Sequence, residues 1–144
     1  MELEPLITAN LNAVHARIAN AAAAAGRQTT EICLVAVSKR FGPRYVEAAA
    51  AVGLTDMGEN KVQEALQKQL ATAARHVTWH LIGHLQSNKT RKAAEAFDWI
   101  HSVDSVDLLR RLDRAAAAFV QPHRQNPILG IRGGPTSTVS WKIL

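Results

Sequence analysis

The chain has 144 residues, of which 47% are hydrophobic and 20% are charged, so it is long enough for one domain with its own core. The formal net charge is +5, but the Lys and Arg residues are not interleaved with stacking aromatic residues, which argues against a nucleic-acid-binding protein. Cys33 is the single cysteine, which excludes an internal disulfide and a cysteine-based metal cluster, and no apolar run is long enough to span a bilayer. These features indicate a cytoplasmic protein that enters no membrane.

Apolar periodicity and turn residues predict one helix followed by four strand–helix units. The first helix covers about residues 5–25, with Pro5 favouring its start and Gly26 its end. Residues 32–38 form a short unbroken apolar run with branched side chains, which is typical of a strand buried on both faces. Three further strands are predicted at 54–57, 77–83 and 99–103. A helix is predicted between successive strands and after the last one.

Two of these helices show an apolar stripe at helical spacing. The first stripe comprises Val62, Leu66, Leu70 and Ala73. The second stripe comprises Val106, Leu109, Leu112 and Ala116. Asn60, with Gln63 three residues later, predicts the N-cap of the first of these helices, and Asp104 or Ser105 is expected to cap the second.

The alternation of strands and helices with short connections predicts an α/β fold with a parallel sheet. Two architectures are compatible with this order. One is an open doubly wound sheet. The other is a TIM-type (β/α)8 barrel of eight strand–helix units, which takes about 250 residues, so that only about its first half is present.

Lys39 directly follows the first strand. In parallel α/β folds the carboxyl ends of the strands carry the ligand chemistry, because loops and helix N-termini meet there. A lysine amine at such a place attacks an aldehyde when desolvation, or a nearby cation such as Arg40, disfavours its ammonium form, and pyridoxal phosphate is bound as a Schiff base in this way. Position alone also fits a solvated lysine.

Two other chemistries fit the residues less well. His80 and His84 are four residues apart, but the intervening Glu and the third ligand of a zinc site are missing. The segment Gly83–Lys89 resembles a phosphate-binding P-loop, except that Asn88 stands where the second glycine is needed. From the residues alone, a nucleotide-binding protein is therefore the alternative to an aldehyde-binding one.

Four motifs follow one another along the chain. They are Ala36-Val37-Ser38-Lys39, Gly58-Glu59-Asn60-Lys61-Val62-Gln63-Glu64, Trp79-His80-Leu81-Ile82-Gly83-His84-Leu85-Gln86-Ser87-Asn88-Lys89 and Ile100-His101-Ser102-Val103-Asp104. In this order they resemble the pyridoxal-phosphate homeostasis family (YggS/PROSC type), whose single domain is similar to the barrel of alanine racemase. The resemblance covers about residues 1–118. It argues against the P-loop, because the family has Asn at position 88 without binding a nucleotide there.

The resemblance implies a barrel in which the lysine of the first strand, Lys39, holds pyridoxal 5′-phosphate as a Schiff base. It also implies that Asn60 approaches the cofactor and that His80 and Ser102 face the same cavity. Racemases take a second base from a separate domain that is not found here. The implied function is therefore intracellular pyridoxal phosphate homeostasis, as a carrier without strong catalysis, with apo-enzymes that need this cofactor as partners. No metal is expected.

Beyond about Ala118 the resemblance fails. We therefore divide the chain into residues 1–120, the first half of the barrel, and residues 121–144, an irregular tail. Within the tail, 127–132 has some strand character, 133–138 is predicted as a loop, and Trp141 belongs to no element.

The limited extent of the resemblance has two implications. The family's phosphate-binding loops follow its last strands, so we interpret the chain as a truncated member with weakened cofactor affinity. The open edges of a half barrel predict self-association. A non-catalytic interaction module, which pairs with another chain through the basic surface Lys89–Lys92, is a further alternative.

Overall fold

The computed structural model describes residues 2–118 and 138–141. The helices are α1 (Leu3–Ala24), α2 (Pro43–Ala51), α3 (Val62–Ala71), α4 (Thr90–Ala96) and α5 (Val106–Ala117). The strands are β1 (Cys33–Val37), β2 (Asp56–Glu59), β3 (Thr78–Leu81), β4 (Trp99–Ile100) and β5 (Thr138–Trp141). Short 3-10 turns at Thr29–Glu31 and Ser87–Lys89 precede β1 and α4. Within the described ranges, no helix has both the length and the apolar character needed to cross a membrane.

The described strands form one parallel sheet in the order β4-β3-β2-β1-β5. The strands β1 to β4 are neighbours in chain order, as in a barrel wall, whereas a doubly wound sheet reverses its order at a switch point. All five helices pack into one core against one face of this sheet. That core includes Ala36, Met57, Leu81 and Ile100 from the strands and Ile7, Val46, Ala65, Ala93 and Leu112 from the helices. The opposite face of the sheet is therefore the wall of a barrel interior.

The strand β2 begins later than the predicted range of 54–57 and extends to Glu59. The N–H of Leu54 donates to the carbonyl of Ala49 at 2.9 Å, and Gly53 between them adopts a φ of +87°. This is the pattern of a Schellman-type helix end. Leu54 therefore closes α2 instead of opening β2. The strands β3 and β4 are likewise shorter than their predicted ranges.

The start and the buried face of α3 differ from the prediction. Its N-cap is Lys61, which makes no side-chain capping bond, so the predicted N-cap at Asn60 is wrong. The side chains on its buried face are Val62, Ala65 and Lys68. Leu70 of the predicted stripe is 88% exposed. The predicted stripe is therefore right at Val62 and Leu66 and wrong at Leu70, and it omits the buried Lys68.

The helix α5 begins where one of the two predicted caps stands. The Ser105 hydroxyl accepts the N–H of Leu108 at 3.1 Å, which confirms Ser105 as the N-cap. The helix buries Leu108 and Leu112, whereas Val106 is 64% exposed. The predicted stripe is therefore right at Leu112 and wrong at Val106.

The tail contributes a strand that the sequence did not predict. The strand β5 pairs with β1 in a register that runs from Cys33 opposite Thr138 to Ala36 opposite Trp141. The predictions of a loop at Thr138, of no element at Trp141 and of an irregular tail are wrong for these four residues. So short a segment has too little periodicity to be recognised alone, and its pairing depends on the free edge of β1. The predicted strand at 127–132 lies outside the described residues, and the division into two parts stays a prediction.

Candidate functional site

Lys39 lies at the carboxyl edge of the sheet, two residues after the end of β1. It is half-buried. Ala36 belongs to the core between the sheet and the helices. Val35 and Val37 are also buried, but they are not part of that core, so they lie on the other face of the sheet. Because side chains alternate along a strand, Val35 and Val37 face the barrel interior, and Lys39 follows them in the turn after β1. The lysine chosen from the sequence therefore lies in the turn at the carboxyl edge of the sheet.

Both chain neighbours of Lys39 are held by side chains of α3. The ammonium of Lys68 donates to the carbonyl oxygen of Ser38 at 2.5 Å, and the backbone N–H of Arg40 donates to Oε1 of Glu64 at 2.9 Å. Arg40 has a φ of +69°, a left-handed conformation that costs a residue with a Cβ about 1–2 kcal/mol. The peptide that carries Lys39 is thus fixed on both sides of its Cα.

These contacts belong to a buried network behind the sheet. Glu59, at the end of β2, is fully buried, and Lys68 is 6% exposed. Oε1 of Glu59 accepts hydrogen bonds from Nζ of Lys68 and from the hydroxyl of Ser38, both at 2.5 Å. Nζ of Lys68 also lies 3.3 Å from Oε1 of Glu64. Lys68 therefore uses its three donors on Ser38, Glu59 and Glu64, which is its full hydrogen-bonding capacity.

The two carboxylates of this network have opposite electrostatic surroundings. Burial raises the pKa of Glu59, while the hydrogen bonds from Lys68 and Ser38 act against this rise. The N–H of Arg40 lowers the pKa of Glu64, and Lys68 adds to the effect. Oε2 of Glu59 has no hydrogen-bond partner among the described residues. Glu64 is therefore the carboxylate that stays ionised most readily.

Asn60 and Ser102 belong to the loops that leave the carboxyl ends of β2 and β4. Gly83, from the loop after β3, passes so close to Asn60 that a Cβ on it would lie 2.7 Å from the Cα of Asn60 and 2.9 Å from its carbonyl carbon. The hydroxyl of Ser102 donates to the carbonyl oxygen of Gly83. The structure thus brings Asn60 and Ser102 into one cluster of loops, in which Ser102 holds the loop of Gly83.

His80 lies below this edge, inside the sheet. It is in register with Gly58 of β2 and is 3% exposed. One ring nitrogen lies 2.8 Å from Oδ1 of Asp56 and the other lies 2.9 Å from Nε2 of His101. The ring also stacks on Trp99 with 6.1 Å between centroids. Both nitrogens of His80 are engaged by protein groups, so a role for His80 at the cofactor stays a prediction.

The segment Gly83–Lys89 leads from β3 into α4. Its Leu85 is buried at 2% exposure, and the residues from Gln86 to Lys89 are exposed. His84 is exposed and pairs with Asp104 at 3.7 Å. No group of three or more His, Cys, Asp or Glu residues that could hold a metal ion occurs in the part of the chain that the structure describes.

Sequence reasoning missed the residues that hold Lys39. Glu59 and Glu64 stand in the quoted Gly-Glu-Asn motif, but only Asn60 of that motif was singled out. Lys68 was hidden because α3 was given an apolar stripe through Leu66 and Leu70. A spacing of three residues from Val62 through Ala65 to Lys68 was the available signal.

Comparison with known proteins identifies the family. No protein-family model matches the chain. The pyridoxal phosphate homeostasis protein of Pseudomonas aeruginosa is 47% identical over 116 residues, which are 81% of this chain and 50% of that protein. The protein of the same name from Escherichia coli is 40% identical over 119 residues, 81% of this chain and 51% of that protein. The chain belongs to the pyridoxal phosphate homeostasis protein family. It spans about half the length of the curated relatives it matches.

Solved structures of similar proteins agree with this family and with the fold. PipY of Synechococcus elongatus, solved with pyridoxal phosphate bound, is 47% identical with a TM-score of 0.61, and the match covers 70% of this chain and 48% of PipY. An unknown protein from Bifidobacterium adolescentis is 34% identical with a TM-score of 0.71, over 82% of this chain and 53% of its own. The predicted class, a partial parallel α/β barrel with outer helices, is confirmed.

Proposed function

We propose that this chain binds pyridoxal 5′-phosphate on Lys39 and contributes to intracellular pyridoxal phosphate homeostasis as a carrier. The observation that carries the proposal is the position of Lys39, half-buried at the carboxyl edge of a parallel sheet between two fixed neighbours. The names of the curated relatives and the cofactor bound by PipY support the choice of ligand.

The groups at this edge fit the reactive end of the cofactor. Pyridoxal phosphate supplies an aldehyde, which a lysine amine attacks to form a covalent bond. In this proposal the amine of Lys39 reaches into the barrel interior, and the side-chain amide of Asn60 offers both a donor and an acceptor to a ring substituent. The close approach of Gly83 holds the backbone from which the Asn60 side chain extends. Lys39 and Asn60 are the residues that we propose to hold the cofactor.

We further propose that the chain is a carrier without strong catalysis, in the cytoplasm, and that it serves apo-enzymes. Amino-acid chemistry on this cofactor needs a free base close to the substrate. The buried histidine of the wall, His80, has both ring nitrogens engaged by Asp56 and His101. The hydroxyl of Ser102 donates a hydrogen bond to the carbonyl oxygen of Gly83. These contacts favour retention of the aldehyde over its use in catalysis.

Reductive trapping tests the assignment. We would incubate the chain with pyridoxal phosphate, reduce it with borohydride and map the modified lysine by mass spectrometry. The adduct is expected on Lys39, to be lost in Lys39→Met and to persist in the control Lys92→Met, because Lys92 is an exposed residue of the outer helix α4. Equal labelling of many lysines, or a main adduct elsewhere, would contradict the proposal.

Self-association through an open edge is a second property that we propose. The strand β4 has β3 on one side, and no described strand pairs with its other side. Unpaired N–H and C=O groups at such an edge pair with a second chain. Sedimentation velocity at several concentrations should show a rise in mean mass, and a constant monomer mass would count against this.

A further inference from the structure

Three side chains, Glu59, Glu64 and Lys68, hold the peptide segment on either side of Lys39. We call these three residues the clamp. Lys68 binds the carbonyl of Ser38, the residue before Lys39, and Glu64 binds the N–H of Arg40, the residue after it. Glu59 holds Lys68 in position and also accepts the hydroxyl of Ser38. None of these contacts uses the side chain of Lys39 itself.

A buried charged pair such as Glu59 and Lys68 contributes little net stability to a core. Glu59 is fully buried and Lys68 is nearly so, and the desolvation of such a pair offsets much of its attraction. Apolar side chains of similar volume commonly stabilise a core equally well. What the charged pair adds is direction, because Lys68 donates hydrogen bonds to particular oxygen atoms of Ser38 and Glu59.

The conformation of Arg40 indicates where this direction is needed. A non-glycine residue keeps a positive φ only when its surroundings impose it. Arg40 is exposed, so side-chain packing does not impose its φ of +69°. The bond from its N–H to Glu64 and the bond from the N–H of Phe41 to the carbonyl of Ser38, at 3.0 Å, shape this turn. The turn sets the direction in which the chain leaves Lys39.

We propose that the clamp positions Lys39 for covalent attachment of the cofactor, so that Glu59, Glu64 and Lys68 are positioning residues that do not contact the cofactor. This inference rests on the proposed function and adds to it a mechanism by which α3 controls the reactive lysine. The clamp acts on the backbone from the helix side of the sheet, while the amine of Lys39 serves the barrel side.

Glu64 is the residue through which the clamp is best tested. The side chain of Glu64 is 31% exposed, and Lys68 keeps its contact with Glu59 when Glu64 is removed. Removal of Lys68 would instead leave the carboxylate of Glu59 buried without its cationic partner. Glu64→Ala removes the acceptor of the Arg40 N–H. Glu64→Gln keeps an oxygen at the same place and is the conservative rescue.

Glu47→Ala is a matched control. Glu47 lies on α2, and its Oε1 accepts the backbone N–H of Ala73 at 2.7 Å. Its role resembles that of Glu64, since a helix carboxylate fixes a loop N–H, but the loop is remote from Lys39 in sequence. Glu64→Ala and Glu47→Ala are therefore expected to lower the thermal midpoint to a similar degree.

Two measurements distinguish positioning from general stabilisation. In the first, cofactor affinity is titrated by absorbance and the adduct on Lys39 is trapped with borohydride. We expect about tenfold weaker binding and slower trapping in Glu64→Ala, since a hydrogen bond to a charged group is lost. Values within about threefold of wild type are expected in Glu64→Gln and Glu47→Ala.

The second measurement uses the cofactor-free chain. The rate at which acetic anhydride modifies Lys39, relative to Lys92, is followed against pH by mass spectrometry. We expect the pH dependence of the Lys39 modification rate to differ from wild type in Glu64→Ala and to match wild type in Glu47→Ala. This readout is independent of cofactor binding, so it tests the clamp even where wild-type chain forms no adduct and the proposed function fails.

The positioning role is overturned by either of two results. One is that Glu64→Ala and Glu47→Ala bind the cofactor equally well and leave the same profile of Lys39 modification. The other is that Glu64→Gln is as impaired as Glu64→Ala, which would assign the effect to charge and not to the Arg40 N–H.

Discussion

Gly83 has a backbone neighbour where any other residue would carry a side chain. Its Cβ would lie 2.7 Å from the Cα of Asn60, and backbone at that distance has to move. We expect Gly83→Ala to lower the free energy of unfolding by about 1–3 kcal/mol, the usual cost of overpacking. Because the displaced residue is Asn60, cofactor affinity should fall as well. Urea unfolding and absorbance titration measure the two effects.

Gly42 provides the control for that change. A Cβ at Gly42 meets nothing within 4 Å, so Gly42→Ala is expected to alter stability less and to leave cofactor affinity unchanged. Equal stability and affinity of Gly83→Ala and wild type would show that the loop after β3 can move away from Asn60 without cost.

Cys33 is exposed at the start of β1, yet its surroundings disfavour the thiolate. Partial desolvation of the thiol by the surrounding protein, with a contribution from the carboxylate of Asp56, raises the pKa of Cys33 from 9.0 to about 11. Only the thiolate reacts with alkylating reagents, and each unit of pKa lowers its fraction tenfold. At pH 8 we expect the thiolate fraction of Cys33 to be about a hundredfold smaller in the folded chain than in urea, so that iodoacetamide modifies the folded chain more slowly. A folded-state midpoint near 9 would contradict this.

The position of Lys39 at the end of β1 could be predicted from the sequence, whereas the contacts around it could not. Lys39 could be found because an ammonium at the end of an apolar run calls for a partner or a function. Asn60 came from a motif, without physical derivation. Lys68 could not be found in the same way, since its burial depends on Glu59 and Ser38, which are distant in sequence and meet Lys68 only in the folded sheet.

The side chains of α5 that face the core differ in part from the predicted set. With Ser105 as N-cap, Leu108 and Leu112 lie on the buried side and Val106 faces solvent. We expect Leu108→Ala to lower the free energy of unfolding by about 2–5 kcal/mol, as is usual for a leucine removed from a core. Val106→Ala should stay within about 0.5 kcal/mol of wild type. Urea unfolding of both variants at one temperature gives the comparison, and a larger loss in Val106→Ala than in Leu108→Ala would place the helix in the predicted phase.

The presence of the helices and strands could be predicted from the sequence, but the face that each helix buries could not. Every predicted helix and strand up to residue 118 is present, because 3.6-residue spacing and unbroken apolar runs are strong local signals. The helix faces are decided by what each helix meets. On α3 the partner is the carboxylate of Glu59, so a lysine is buried while Leu70 stays exposed. A stripe drawn from hydrophobicity alone cannot include such a residue.

At the scale of the molecule, the order of β1 to β4 could be predicted and the place of β5 could not. Parallel strands joined by short right-handed crossovers lie side by side in chain order. Nothing local to residues 138–141 indicates that they return to β1, on the edge opposite β2. That pairing extends the wall on the side where a closed barrel would bring its last strand back to its first.

The pairing of β5 with β1 predicts that β5 protects the backbone amides of β1 from hydrogen exchange. In a parallel ladder, successive residues of one strand alternate between its two neighbours, so one of two adjacent residues donates toward β1. Val139→Pro combined with Ser140→Pro therefore removes such a donor whichever residue carries it. We expect hydrogen exchange of the peptide over residues 33–37 to become about fivefold faster or more, the effect of about one lost hydrogen bond. The double alanine variant at the same positions keeps both N–H groups and should exchange like wild type. Equal protection of β1 in the proline and alanine variants would mean that β5 does not hold this edge, and β1 would then be open to pair with a second chain.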